Sequence, residues 1–280
     1  MPLVTTAELL RTAVANGGGV AAFNVVTLEH GEGIVAGAQR AGAPVIVQVS
    51  ENTVAFHGSL RPVSAALAAL AADAAVPVGL HLDHVEAPHL WDQAGTCGYS
   101  SVMVDGGALP YDRNVAVTAE ATTGLHAQGL AVEAELGYVG GKDTQVTSAH
   151  APGVRTDPAQ AAEFVAATGV DALAVAVGSS HAMTTQTAEL DLELIGALRD
   201  ALTVPLVLHG SSGVPDDALR AAVRAGIVKV NVGTALNVAY TGAVRSALAA
   251  DDAVDPRKAL RSARTAVADA VAHLLDVVSH

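Results

Sequence analysis

A chain of 280 residues that is 51% hydrophobic and 15% charged can bury a large core and is too apolar to be extensively disordered. Its net charge of −13 excludes nucleic acid or an anionic membrane as a general partner, because both need a basic surface. The single cysteine, Cys97, excludes an internal disulfide framework; no run of about 18 apolar residues and no signal-peptide pattern is present, so a cytoplasmic protein is expected.

Eight short segments rich in β-branched residues read as strands: Val20–Asn24, 44–50, 77–83, 100–105, Ala131–Leu136, 172–177, 205–210 and Ile227–Val232. Ala-rich amphipathic stretches separate them. Thr5 and Glu8 have the spacing of a capping box before a short leading helix. Asp157 and Pro158 supply a cap and a first-turn proline for another helix. Gly42, Gly169 and Gly226 fall where helices should stop, and a further helix is expected over 256–278. Near-continuous apolar strands alternating with helices imply a parallel sheet covered on its outside. Eight units close most naturally into an α/β (β/α)₈ barrel, here one domain over residues 1–280 with a short N-terminal helix and an extra C-terminal one. An open doubly wound sheet is the competitor, but its Gly-rich fingerprint after the first strand is missing.

Nearly every predicted strand ends in a polar residue able to do chemistry. In order these are Asn24, Ser50, Asp83 with His84, Asp105, Glu135, His181 just past strand six, His209 and Asn231. The carboxyl ends of barrel strands form the active-site face, so a ring of this kind is hard to explain as packing. A single histidine among them would be most simply a core or surface residue. Three at equivalent strand ends, His84, His181 and His209, suit a catalytic metal site with one open position. Asp83 is then a candidate acid/base or an orienting acceptor, and His81 a supporting residue. Asp105 and Glu135 are hard oxygen donors for a second cation, or a hydrogen-bonded structural pair.

Two Gly-rich turns, around Gly210 and Ser212 and around Gly233 and Thr234, follow strands seven and eight, where such barrels hold phosphate at helix starts. The stretch from Gly137 to Gly153 is long for a connection and reads as a lid or a surface insertion. Lys229, in the eighth strand, is the one lysine placed to act as a Schiff-base nucleophile.

These motifs in this order resemble the class II, metal-dependent ketose-bisphosphate aldolases, the family of fructose- and tagatose-bisphosphate aldolases. They are Ala22-Phe-Asn24, His81-Leu-Asp-His84, Val104-Asp105, Glu133-Ala-Glu-Leu-Gly137, Gly140-Gly141, Ala174-Val-Ala-Val-Gly178 leading to His181, Leu206-Val-Leu-His-Gly-Ser-Ser-Gly213, Lys229-Val-Asn231 and Asp255-Pro-Arg257. The resemblance implies zinc on His84, His181 and His209, with Asp83 exchanging the C4 hydroxyl proton. It implies a second divalent ion on Asp105 and Glu135, and a monovalent cation (Na⁺ or K⁺) near the first phosphate. Gly210, Ser212 and Thr234 match the phosphate cradle, Asn231 a triose contact, and Ser50 a substrate-site serine. Arg257 matches the arginine for the distal phosphate, supplied in some members by a neighbouring subunit of a homodimer or homotetramer. Asp143 stands where many members carry a catalytic Glu, Gly233 where some carry a substrate-contacting Asp, and Ala182 where Gly is usual. The implied partner is a small phosphorylated ketose.

Overall fold

The computed structural model describes residues 3–137, 139, 155–250, 252 and 254–279. Eight parallel strands close on themselves in sequence order: β1 Val20–Asn24, β2 Val45–Ser50, β3 Val78–Val85, β4 Ser101–Val104, β5 Ala131–Leu136, β6 Ala172–Val175, β7 Leu206–Leu208 and β8 Ile227–Val232, with β8 returning to pair with β1. Helices on the outside bury the outward strand residues, among them Phe23, Leu82, Val104 and Leu173. The inward residues near the amino-terminal end are aliphatic and mostly small: Val20, Ala22, Ile46, Ala172, Ala174 and Val207. Leu9, Leu10 and Ala13 of the leading helix Thr6–Asn16 close that end like a stopper. A core with few aromatic residues is therefore filled by many short side chains and one added helix.

The local signals act as their chemistry demands. Thr5 caps the leading helix through Glu8 N–H (3.2 Å), and Asp157 caps the helix Pro158–Thr168 through Gln160 N–H (2.9 Å). Gly42 and Gly169 end helices in the left-handed conformation, at φ 64° and 70°. The closing helix, Arg257–Val278, lies along the helix Leu28–Ala41. A Cβ at Gly37 would come within 2.6 Å of the Ala268 carbonyl oxygen, so only glycine permits that approach.

Several strands differ from expectation at their ends; β7, expected over 205–210, is only Leu206–Leu208. β6 stops at Val175 because Ala176 pairs instead with Thr156, whose hydroxyl accepts from the Ala176 N–H (2.8 Å) while its own N–H donates to the Ala176 carbonyl (3.1 Å). β3 runs on to Val85, with a register shift against β4 between Leu82 and Val85. Among the described residues no single helix is long and apolar enough to cross a membrane; one sharply bent pair, Glu51–His57 with Leu60–Asp73, meets the length and composition criteria jointly.

Candidate metal and phosphate site

The irregularity in β3 shapes the mouth of the barrel. A regular strand sends Asp83 and His84 to opposite faces. Here His84 adopts φ 51°, and both side chains line one cavity of about 480 Å³ at the carboxyl ends of the strands. Among the described residues only one other non-glycine residue has positive φ, Ala182 at 59°, directly after His181. Both strained positions among the described residues thus adjoin the histidine cluster.

His84, His181 and His209 converge with ring centroids 5.2, 4.8 and 5.7 Å apart. Glu135 joins them: one ligand atom from each of the four lies within 4.8 Å of every other. His209 Nδ1 is buried without a hydrogen bond, although a Glu135 carboxylate oxygen is 3.3 Å away. Three imidazoles and a carboxylate at this spacing fit a zinc-type donor set. Asp105 stands one step back. One of its oxygens accepts from His84 Nδ1 (2.8 Å) and the other from Gly107 N–H (3.1 Å). Of the two carboxylates expected to hold a second cation, Glu135 sides with the histidines and Asp105 orients His84.

Asp83 is held from three sides. Its carboxylate accepts from Asn24 Nδ2 (2.8 Å), Gln48 Nε2 (3.4 Å) and Asn231 Nδ2 (3.4 Å). Burial alone would raise its pKa, but the electrostatic influence of the neighbouring imidazoles and of Lys229 outweighs that and holds it below the usual carboxylate range. An ionised carboxylate with three donors at the cavity wall is a poised proton acceptor.

The same cavity is lined by Gly210, Ser212, Gly233 and Thr234, and by Asn24, Ser50 and Asn231. Thr234 begins the helix Thr234–Ala250, whose Ala235 N–H donates to Ser212 Oγ (3.0 Å) and ties the two Gly-rich turns together. Amides at such a helix start attract anions. Gly210 sits at φ 66°, and a Cβ there would come 2.5 Å from the Ser180 carbonyl carbon, next to His181. Gly210→Ala is expected to lose on the order of 2–3 kcal/mol in urea denaturation, because the His181 loop must move. Unchanged stability would mean that the loop yields freely.

The remaining expected residues fall elsewhere. Arg257 does not line the mouth; it is largely exposed, and its Nε donates to Asp255 at 2.9 Å. Asp143 and the Gly140-Gly141 pair lie outside the described residues. Lys229 is fully buried beneath the mouth, its Nζ 2.6 Å from a Glu133 oxygen, so it faces a carboxylate rather than the cavity.

Sequence reasoning missed the layer to which Lys229 belongs. Gln48, His81, Glu133 and Lys229 each precede a mouth residue by two positions: Ser50, Asp83, Glu135 and Asn231. All four are buried on the barrel axis. The period-two pairing was the available signal. Burial, then the charge of Lys229, pulls the His81 pKa down to about 3, so it stays neutral in the fold. Unfolded histidine titrates near 6.5, so below that pH the unfolded chain binds a proton that the folded one refuses. Stability of the metal-free protein should accordingly fall as pH drops from 6.5 towards 3. The loss between pH 6.5 and 4.5 should be on the order of 2 kcal/mol. His209 acts in the opposite sense only above 6.5, and a flat urea-denaturation profile across that window would contradict a neutral His81.

The comparisons agree with this geometry. The family model described as "Fructose-bisphosphate aldolase class-II" matches residues 4–280. The chain is similar to a fructose-bisphosphate aldolase of Geobacillus stearothermophilus, 37% identical over 270 residues that cover 95% of this chain and 93% of the relative. It is similar to the crystal structure of the YdjI aldolase from Escherichia coli K12, with TM-score 0.84, 32% identity and coverage of 99% and 97% of the two chains. A fructose-bisphosphate aldolase structure from Campylobacter jejuni has the same fold, with TM-score 0.81 at 23% identity, covering 99% of this chain and 95% of its own.

Proposed function

Since the chain belongs to the class-II fructose-bisphosphate aldolase family, a family of metal-dependent lyases, we propose that it reversibly cleaves the C3–C4 bond of a ketose 1,6-bisphosphate of the fructose or tagatose type. The products are dihydroxyacetone phosphate and an aldehyde such as glyceraldehyde 3-phosphate. The observation that carries this reading is the convergence of His84, Glu135, His181 and His209, with His84 and His181 lining the same cavity as the ionised Asp83.

Breaking that bond leaves an electron pair on C3, next to a ketone. A zinc ion held by the three histidines, with Glu135 in reach, would supply the Lewis acidity that makes this charge tolerable. Asp83 takes the C4 hydroxyl proton in cleavage and returns it in condensation. Asn24, Gln48 and Asn231 keep the Asp83 carboxylate turned towards the cavity, and Asn231 also meets the bound triose. Gly210, Ser212, Gly233 and Thr234 take the phosphate of the dihydroxyacetone half, with a monovalent cation beside it; Ser50, which lines the same cavity, contacts the substrate. This remote binding fixes the reacting carbons. Exchange of the proton at the enediolate carbon is assigned to Asp143, from the segment between β5 and the next helix.

Among the described residues no lysine or arginine lines the cavity. We therefore assign the distal phosphate to Arg257 of a neighbouring copy in a homodimer or homotetramer. The whole reading places one catalytic unit over residues 1–280, working in the cytoplasm. It is tested by a zinc-supplemented cleavage assay over fructose and tagatose bisphosphates and their 1-phosphates. Turnover of a bisphosphate supports it, and binding without turnover across the panel would refute it.

A further inference from the structure

The polar layer beneath the mouth is unusual for a barrel interior, which is normally packed with Val, Ile and Leu. A buried ion pair is a poor way to stabilise a core, because desolvating both charges offsets most of their attraction. Lys229 and Glu133 nevertheless form one, at 0% and 4% side-chain exposure. Their arrangement has a direction. Lys229 Nζ takes one Glu133 oxygen at 2.6 Å, and the other Glu133 oxygen accepts from His209 Nε2 at 3.0 Å. The opposite ring nitrogen, Nδ1, then faces Glu135 at 3.3 Å, inside the cluster of ligand atoms. His84 is held the other way round, through Nδ1 by Asp105.

We propose that the Lys229–Glu133 pair is a positioning device for the metal centre. Lys229 clamps Glu133, and Glu133 fixes the tautomer and rotation of His209 so that Nδ1 is offered to the ion. The strand register serves this end. Lys229 lies beside Val207, two residues before His209, and Glu133 lies two residues before Glu135, so each partner sits one layer under a mouth residue. Asn231 Nδ2 also lies 3.0 Å from His209 Nε2, but an amide donor cannot bond to a nitrogen that is itself donating to Glu133. Glu133 is thus the group that sets the ring's proton. Neither residue touches substrate; both act through His209. The proposal rests on the metal-dependent reading given above.

The test uses the full chain stripped of metal. The double variant Glu133→Gln with Lys229→Met removes both charges at similar volume, a change that buried pairs commonly tolerate. Zinc affinity is measured by competition with a chromophoric chelator, Co²⁺ coordination by its visible absorption, and folding by thermal melting. The expected result is a cooperative melt with zinc affinity about 10- to 100-fold weaker and an altered Co²⁺ spectrum. A folded double variant with wild-type affinity and spectrum overturns the proposal, since the pair would then serve packing alone. Should the double variant not fold, Glu133→Met with Lys229→Met, an apolar replacement of both partners, carries the same measurement, with the same two outcomes. A wild-type chain that takes up neither ion sinks the metal-dependent reading and this proposal together, which separates the two failures.

Discussion

Stripping the divalent ion with a chelator should lower cleavage by about a thousandfold or more, and zinc should restore it. Lewis-acid stabilisation of the developing charge is worth several kcal/mol, and each 1.36 kcal/mol is a factor of ten in rate. No other described group in the cavity replaces it: Lys229, the one lysine in a barrel strand, is buried against Glu133. The stripped protein should remain folded. Burial by itself would lower the pKa of His209, but the hydrogen bond to Glu133 and the adjacent Glu135 carboxylate outweigh that and push it up to about 9. A proton can therefore stand where the ion would, and zinc uptake near neutral pH should release it. Bound zinc at a hundred times its Kd should add about 2.7 kcal/mol to stability. Full activity in rigorously metal-free protein, or borohydride trapping of substrate on Lys229, would end the metal-dependent mechanism.

Asp83→Ala should lower kcat by at least about a hundredfold while metal affinity stays near that of the wild type. The two effects separate because Asp83 is not one of the four convergent ligands. It sits in the adjoining wall, with Asn24, Gln48 and Asn231 donating to its two oxygens. Asp83→Asn is a sharper probe, since it keeps the volume and removes the proton acceptor. Its amide also meets three amide donors, so a small loss of stability should accompany the loss of rate. Comparable kcat for wild type and either variant would remove Asp83 from proton transfer. Loss of metal together with activity would instead make it a support for the neighbouring His84.

Much was legible in the chain itself. The alternation of β-branched runs with Ala-rich stretches carries the barrel, because strand and helix have different periods and each must bury its apolar side. The caps at Thr5, Asp157, Gly42 and Gly169 could be read for the same local reason. Strand-end positions marked His84, His181, His209, Asp83 and the two Gly-rich turns, since in this architecture the end of a strand is also the floor of the site. Other features depended on geometry across the barrel. Glu135 and Asp105 are both acidic residues beside strand ends, and no local pattern says which of them joins the ligand cluster and which only bonds to His84. The bulge at His84 gives neighbouring residues a common face, against the alternation a sequence suggests. The ion pair of Lys229 with Glu133 joins residues 96 positions apart. Local periodicity encodes the elements, whereas choosing which buried charges meet is a matter of strand register and closure, which exist only once the eighth strand has returned to the first.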